Sequence, residues 1–257
     1  MAIVTVTSDL GNGSIQLAAL KGAILKYPDS IDHIVDISNE IEPYNIIEGA
    51  YVFKNSYKHF PEKTIHLINI NPFFSKNFNI ILLKKNGHYF IAPNNGFLSL
   101  VFENEPSEEY YQLNNFSDST SKNELIGATI EKIHNVVPIE EIGEHTDQIS
   151  TRLSLQPVLS NNTIRGTIIF IDRFGNLISN IKLKQFEKLR AGKRFAIYFR
   201  HKDPITTIKS HYHEVQIGEE LCLFNASGYL VIAINLGNAH SILGLALNDI
   251  IQIDFFD

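Results

Sequence analysis

The sequence predicts a two-domain protein, with an α/β N-terminal domain over residues 1–150 and an all-β, barrel-like C-terminal domain over residues 151–257. Three observations predict this architecture. In the first half, short β-branched apolar runs alternate with helical patterns, which is typical of a mainly parallel sheet with flanking helices. A segment over residues 137–156, rich in Glu, Thr, Ser and Pro, has no apolar period and is interpreted as the connector. From Ile164 onward, short strand patterns are separated by turn signals, as in small barrels and sandwiches.

Composition narrows the class of protein and of partner. The hydrophobic content of 44% and the charged content of 19% are those of an ordinary globular protein. The net charge is −6 and no basic block is present, so a nucleic-acid partner is not expected. No apolar run is long enough to span a bilayer, and the N-terminus lacks a signal-peptide pattern. A cytoplasmic location without membrane attachment is therefore expected.

The chain has one cysteine, Cys222, so an intrachain disulfide is impossible. It lies in the apolar run Leu221–Phe224. An apolar strand favours an inert core thiol over a reactive nucleophile.

The first strand ends in a pattern typical of a ligand-binding sheet edge. Ala2–Val6 is apolar, and Asp9 follows it, before two glycines and a helical pattern that Ser14 or Asn12 caps. Strand, tight turn and helix place a polar residue at the carboxyl edge of a parallel sheet, where open α/β folds bind ligands. Asp9 is therefore a candidate ligand group, with a simple turn or capping role as the alternative.

Other polar and aromatic residues follow strand ends in the first half. Tyr44, Asn71 and Asn94 join Asp9 in this set, although many such residues only form turns. The remaining predicted strands here are His33–Ile37, Thr64–Ile70, Asn79–Leu83, Tyr89–Ala92 and Tyr110–Leu113; helices are predicted from Glu42 to before Phe60 and over Glu124–His134.

The second half contains one informative turn, Asp172 to Asn176. Asp172 could bind a cationic amine, Phe174 could stack on a ring, and Asn176 could hydrogen-bond to the edge of a nucleobase. The alternative is a plain hairpin with a salt bridge and a buried phenylalanine. The strands predicted in this half are Ile164–Ile171, Leu177–Ile181, Arg194–Tyr198, Glu220–Phe224, Leu230–Asn235 and Ile250–Phe255.

One pair of histidines has the spacing of metal ligands. His211 and His213, with Glu214 beside them, would share a strand face. No third ligand stands at a convincing spacing, and Lys209 is close, so a solvated strand is favoured and no metal site is expected. Phosphate-binding, dinucleotide, nucleophile-elbow and zincin motifs are missing from the sequence.

Several short segments, taken together in their order along nearly the whole chain, resemble one known family. They are Ser8–Gly11, Ala19–Ile24, Val35–Ile37, Pro93–Gly96, Ile171–Asn180 and Gly228–Ala239. This ordered set resembles the S-adenosyl-L-methionine (SAM) hydroxide adenosyltransferase family, the adenosine-forming SAM hydrolases related to fluorinase and chlorinase. The segment Ile171–Asn180 and the C-terminal Gly-Asn-Ala are the most specific parts of the resemblance.

The resemblance implies a role for five residues around the nucleoside. Asp9 would accept charge-assisted hydrogen bonds from the ribose hydroxyls. Tyr44 would lie beside the sugar and the sulfonium. Asp172 would hold the methionine amino group, Phe174 would pack against the ligand, and Asn176 would bond the adenine.

The resemblance also implies a homotrimer, in which the ligand lies between the N-terminal domain of one subunit and the C-terminal domain of its neighbour. The reaction would be an in-line displacement at the ribose C5′ by water, with methionine leaving as a neutral thioether. SAM carries its own activated leaving group, so no cofactor is expected and the protein would mainly orient and desolvate the reactants.

The sequence departs from the family where the hydrolases activate water. In those enzymes an Asp, an Arg and a His are thought to do so. Here Asn71 stands at the Asp position and Phe78 or Asn79 at the Arg position; Ser121, within Thr120–Glu124, stands at the His position. Asn71 and Ser121 are therefore the candidate catalytic residues, as groups that could orient a water. Loss of general acid–base help typically lowers a rate by about 10²–10⁴.

Three hypotheses follow from these departures. The first is a divergent SAM hydrolase. The second is a catalytically degenerate homologue that binds SAM, adenosine or another nucleoside. The third is a structural trimer, which the retained Asp9 and Asp172 argue against. Halogenation is not expected, because Asn71, Phe73 and Phe74 do not reproduce the halide site of fluorinase.

Overall fold

The computed structural model describes residues 2–27, 31–72, 79–102, 105, 109–113, 119–200 and 203–257. The chain divides into two compact units, Met1–Ser154 and Leu155–Asp257. Phe73, Phe74 and Phe78 lie outside the described residues.

The first unit is built on a seven-stranded sheet with the order β2-β1-β3-β5-β4-β6-β7. The pairs β1–β2, β1–β3 and β3–β5 are parallel, and β4, β6 and β7 extend the sheet by antiparallel pairing. The strands are β1 (Ile3–Ser8), β2 (His33–Ser38), β3 (Ile65–Asn69), β4 (Ile80–Lys85), β5 (His88–Pro93), β6 (Tyr110–Leu113) and β7 (Glu144–Thr146). The α-helices are α1 (Ile15–Ile24), α2 (Ile46–Lys54), α3 (Phe97–Val101), α4 (Ser119–His134) and α5 (Ile139–Ile142), and Tyr57–His59 forms a 3₁₀ turn.

Helices cover both faces of this sheet. All five residues of β3 are buried, as expected for a strand with helices on both sides. Its side chains alternate between two cores, because successive residues of a strand point to opposite faces. Ile65 and Leu67 pack in the core that includes α1 and α4, whereas Ile68 packs in the core that includes α2 and α3.

Two predictions in this unit need correction. The fourth helix begins at Ser119 instead of Glu124, so Ser121 and Lys122 lie in its first turn. The supposed connector contains α5 and β7, and β7 pairs with β6 at the edge of the sheet. Both elements are short and polar, and they carry no apolar period of their own.

The second unit is a curled sheet around a single core. Its strand order is β11-β15-β9-β10-β14-β13-β12, with β8 paired to β9. One hydrophobic cluster collects side chains from β9, β10, β11, β13, β14 and β15, which requires the sheet to curl around it. The strands are β8 (Val158–Leu159), β9 (Thr163–Ile171), β10 (Leu177–Lys182), β11 (Arg194–Tyr198), β12 (Ile208–Lys209), β13 (Glu220–Phe224), β14 (Tyr229–Ile234) and β15 (Ile250–Phe256).

The second unit also contains two helices that the pattern did not predict, α6 (Leu183–Arg190) and α7 (Ala239–Leu243). In α6 Phe186 is buried and Leu189 packs against the core, but the helix has eight residues and follows β10 directly, so the sequence contains no separate signal for it. Helix α7 is short, begins at an Asn238 cap and ends at Gly244 in the left-handed conformation. The fold class predicted from the sequence, an α/β domain followed by a β domain, is confirmed.

Candidate functional site

Asp9 lies at the carboxyl edge of the parallel part of the first sheet, where the sequence placed it. It follows β1 directly, and Ser8 at the end of β1 is in register with Asn69 at the end of β3. The Oδ2 atom of Asp9 accepts hydrogen bonds from the backbone N–H groups of Tyr44, at 2.9 Å, and Asn71, at 3.1 Å. Because both described donors bond Oδ2, Oδ1 is the oxygen available to a ligand.

These two donors lie in unusual backbone conformations. Tyr44 has φ 67° and Asn71 has φ 43°, in the left-handed region that most residues avoid. Hydrogen bonds to an ionised carboxylate are stronger than neutral ones, and both converge on Asp9. The carboxylate therefore holds the loops that contain Tyr44 and Asn71 in place. The side chain of Tyr44 is 74% exposed.

Asn95 holds the same loop from its other side. Its Nδ2 donates to the carbonyl oxygens of Ile70, at 2.9 Å, and Asn71, at 3.3 Å. The neighbouring candidate Asn94 has a different role. Its side chain accepts from the Ser150 N–H and donates to the Gln148 carbonyl, so it anchors the segment after β7.

A buried lysine underlies this edge. Lys122, in the first turn of α4, is 5% exposed, and its Nζ donates to Oδ1 of Asn69 at 2.5 Å. Burial lowers the pKa of Lys122 to about 8, and the charge of Asp9 partly opposes this shift. Sequence reasoning missed Lys122, although it lies beside Ser121 in the stretch that replaces the family's histidine motif.

The two candidate catalytic residues lie next to this contact. Asn71 comes two residues after Asn69, and Ser121 directly precedes Lys122. The hydrogen bond between Lys122 and Asn69 therefore brings the first turn of α4 to the end of β3. The predicted roles of Asn71 and Ser121 in orienting a water remain predictions.

The second unit places the other predicted ligand residues in one tight turn between β9 and β10. Oδ1 of Asp172 accepts from the N–H groups of Phe174 and Asn176, both at 2.9 Å. Oδ2 of Asp172 accepts from the side-chain amide of Asn176 at 2.8 Å. Asp172 therefore organises the turn itself, and a ligand amine would meet only its remaining acceptor positions.

The shape of this turn contradicts the alternative of a plain hairpin with a buried phenylalanine. Phe174 is 77% exposed. Gly175 has φ 79°, and a Cβ at this position would lie 2.3 Å from the side chain of Asn238. The carbonyl of Gly175 accepts from the His240 N–H at 2.9 Å, so the turn is fastened to α7. An exposed ring on a rigid turn is a suitable surface for a flat ligand.

Tyr212 is a further aromatic residue near this turn that the sequence did not indicate. Burial raises the pKa of Tyr212, and the negative charge of Asp172 raises it further. Tyr212 begins a 3₁₀ turn, Tyr212–Glu214.

The histidine pair lies in the same turn and not on a strand as expected. The rings of His211 and His213 stack with centroids 5.3 Å apart. Glu214 accepts from the backbone N–H groups of Ser210 and His211, both at 2.8 Å, which lower its pKa. Within the described ranges no group of three or more His, Cys, Asp or Glu side chains is arranged to hold a metal ion.

The single cysteine is a core residue. Cys222 is fully buried in the second unit, and burial raises the pKa of its thiol. A thiol in this environment is not a nucleophile at neutral pH. As for membranes, none of the helices in the described part of the chain has the length and apolar character needed to cross one.

The chain thus combines an α/β unit that has a carboxylate at its parallel sheet edge with a β unit that has an amide-bearing turn. The family models for the SAM hydroxide adenosyltransferase N-terminal and C-terminal domains match residues 4–143 and 166–252. The chain belongs to this family, as the resemblance predicted.

Individual relatives agree with this assignment. The chain is 31% identical to the (R)-S-adenosyl-L-methionine hydrolase of Methanocaldococcus jannaschii, over 98% of this chain and 95% of that protein. It is 24% identical to a fluorinase of an Actinoplanes species, over 91% of each chain. A crystal structure of a conserved protein from Thermotoga maritima has a TM-score of 0.85 and 25% identity, covering 98% of this chain and 99% of that one. A Thermus thermophilus structure, at 20% identity and a TM-score of 0.76 over the whole of both chains, shares the fold.

Proposed function

We propose that the protein hydrolyses SAM to adenosine and L-methionine. Water attacks the ribose C5′, the new O–C5′ bond forms, and the C5′–S bond breaks with its electron pair going to sulfur. One proton of the water is released. The observation that carries this proposal is the carboxylate of Asp9, held at the sheet edge by two backbone donors in a member of this family.

In this proposal the two units supply complementary contacts. Oδ1 of Asp9 accepts from the ribose hydroxyls, and the exposed ring of Tyr44 lies beside the sugar. Asn176 bonds the adenine, and Phe174 packs against the ligand. Asp172 keeps the turn in shape and offers its remaining acceptor positions to the methionine amino group.

The chemistry proposed here needs little acid–base help. The sulfonium leaves as a neutral thioether, so no proton has to reach the leaving group. Asn71 and Ser121 orient the water through an amide and a hydroxyl, and the protein contributes mainly alignment and removal of solvent. No cofactor takes part in the proposed reaction.

We further propose that the protein works as a homotrimer in the cytoplasm, with each ligand shared by two subunits. The family resemblance supports the trimer. A single cysteine that is buried and unable to form an intrachain disulfide supports a reducing compartment.

A second candidate function is binding of SAM or adenosine without hydrolysis. It is favoured by one observation: an amide and a hydroxyl, Asn71 and Ser121, stand where the family carries titratable groups. Without a strong base, the rate falls while the affinity remains.

The deciding experiment is an incubation of the purified protein with SAM in H₂¹⁸O, with separation and mass analysis of the products. Hydrolysis at C5′ places ¹⁸O in the 5′-hydroxyl of adenosine and none in methionine. If SAM binds and no adenosine forms above the uncatalysed background, the protein is the binding homologue. If neither SAM nor adenosine binds, both candidate functions are wrong.

A further inference from the structure

A cavity of about 550 Å³ lies in the first unit, away from the sheet edge that carries Asp9. Tyr89, at the start of β5, lines this cavity. The strand register sets Tyr89 level with Val4, five residues before Asp9, which is roughly 16 Å along a strand. The cavity has the size of a small-molecule site and is separate from the candidate ribose ligand.

Lys84 and Glu109 bring opposite charges to the sheet wall of this cavity. Lys84 lies on β4, and Glu109 directly precedes β6, the strand that pairs with β4. Nζ of Lys84 lies 5.4 Å from the centre of the Tyr89 ring, and Glu109 accepts a hydrogen bond from the Tyr111 hydroxyl at 2.7 Å. An ammonium and a carboxylate therefore contact different rings in one cavity, and among the described residues no ion pair joins the two.

The other wall is the segment Val136–Glu140, which joins α4 to α5. Its first four residues are apolar, and Glu140 adds a second carboxylate. Helix α4 ends at His134, just before this wall, and the carbonyl end of a helix carries partial negative charge that favours a cation. This part of the cavity is therefore suited to an ammonium group next to an apolar surface.

Val136 has a backbone conformation that its side chain disfavours. Its φ is 58°, which makes a β-branched residue a genuine outlier. The Val136 N–H bonds the Ile133 carbonyl and the Val137 N–H bonds the Lys132 carbonyl, both at 3.0 Å. This is the Schellman ending of a helix, in which glycine is the usual residue at the position of Val136. The valine side chain is nevertheless 83% exposed, so core packing does not explain the strain, and a binding role does.

We propose that this cavity binds a free α-amino acid with an apolar side chain. The ammonium of the ligand lies between Glu109 and Glu140, its carboxylate meets Lys84, and its side chain packs against Val136 and Tyr89. A zwitterion fits because the walls carry both signs of charge around an apolar surface. A ligand with a single charge would leave one sign without a partner. This inference goes beyond the proposed function and does not depend on it.

Equilibrium dialysis with radiolabelled L-leucine tests the proposal on the full-length protein. L-leucine should bind equally with and without saturating S-adenosylhomocysteine, which fills both the nucleoside and the amino-acid parts of the proposed SAM site. L-leucinol lacks the carboxylate, and N-acetyl-L-leucine lacks the ammonium. Each should compete about tenfold more weakly than L-leucine, because each loses a hydrogen bond between charged groups.

Variants of the second wall test where the ligand binds. Glu140→Gln should weaken L-leucine binding about fivefold, and Glu141→Gln is the matched control, since it changes the adjacent exposed carboxylate outside the cavity. Val136→Gly should raise the Tm, because glycine adopts positive φ without strain. It should also weaken L-leucine binding about fourfold, the effect of losing one methylene-sized contact. A variant that is more stable than the wild type cannot lose binding through misfolding.

Displacement of L-leucine by S-adenosylhomocysteine would place the amino acid in the proposed SAM site and overturn the separate site. Equally strong competition by L-leucinol or N-acetyl-L-leucine would overturn the zwitterion. Unchanged binding in both Glu140→Gln and Val136→Gly, or absence of binding by L-leucine, L-methionine and L-phenylalanine alike, would overturn the whole inference. A protein that binds L-leucine but neither SAM nor adenosine would keep this inference and refute the proposed function.

Discussion

Asp9 joins loop geometry, which the structure shows, to the ligand recognition that we propose. One oxygen of its carboxylate holds the backbone of Tyr44 and Asn71, both at positive φ. In the proposed complex the other oxygen accepts hydrogen bonds from the ribose hydroxyls. An amide at this position could still hold the two loops through its oxygen, but its NH₂ group cannot accept a hydrogen bond from a hydroxyl.

We therefore expect Asp9→Asn to weaken adenosine binding by about 10- to 100-fold, the usual range for losing a hydrogen bond to a charged group. Titration calorimetry with adenosine measures the change. Asp36→Asn is the control, because Asp36 is an exposed carboxylate that pairs with Lys21 at 2.7 Å. Equal affinity in Asp9→Asn and the wild type would remove Asp9 from the ligand site.

At the scale of secondary-structure elements, strand β3 carries two buried polar residues, Asn69 at the edge that bears the candidate site and His66 in the core. Its last residue, Asn69, binds Lys122, whereas His66 at its second position is fully buried. The His66 ring bonds Thr5 Oγ1 at 2.7 Å and the ring of His88 at 3.1 Å. Burial, with the charge of His88 as a smaller cause, lowers the pKa of His66 to about 3.

This histidine predicts a pH-dependent stability. In the unfolded chain its pKa is about 6.5, so between pH 6.5 and 3 the unfolded state binds more protons than the folded state. The free energy of unfolding must then fall as the pH falls, by about 2 kcal/mol between pH 8 and pH 5 from this residue alone. Urea denaturation at both pH values measures this change in the free energy of unfolding.

His66→Gln should lose most of the difference between the two pH values, whatever its absolute stability, and the exposed His59→Gln should keep it. A pH dependence that is the same in His66→Gln and the wild type would mean that another group is responsible.

Most strands of both units could be predicted, because their short apolar runs are rich in β-branched residues and end in clear turns. Helix α6 could not, because its eight residues follow β10 without an intervening turn, and β7 could not, because it is a three-residue polar edge strand. The same limit applies to the site. Asp9 follows a recognisable strand, whereas Lys122 lies in a polar segment where a lysine is normally solvated. Its burial arises only when α4 packs against the sheet, which no local pattern shows.

At the scale of the whole molecule, each unit has its own hydrophobic core. A substitution at Asp9 changes the first unit, and one at Asp172 changes the turn of the second, so the two should act independently on folding. This independence makes it possible to test whether a ligand is shared between subunits of the proposed trimer. Asp9→Ala leaves the second half-site intact, and Asp172→Ala leaves the first intact.

We expect neither variant alone to bind SAM with wild-type affinity, and their co-expressed mixture to recover binding. If each site pairs the first unit of one subunit with the second unit of its neighbour, every mixed trimer contains one fully intact site, whichever variant is in the majority. Different affinity tags isolate the mixed assemblies, and sedimentation measures their mass. Titration with SAM then gives the number of tight sites per trimer.

Two differently tagged Asp9→Ala chains form the control, and their mixed trimers should have no tight site. Mixed trimers without tight sites would show that each site belongs to a single chain, and a monomer in sedimentation would reject the trimer itself.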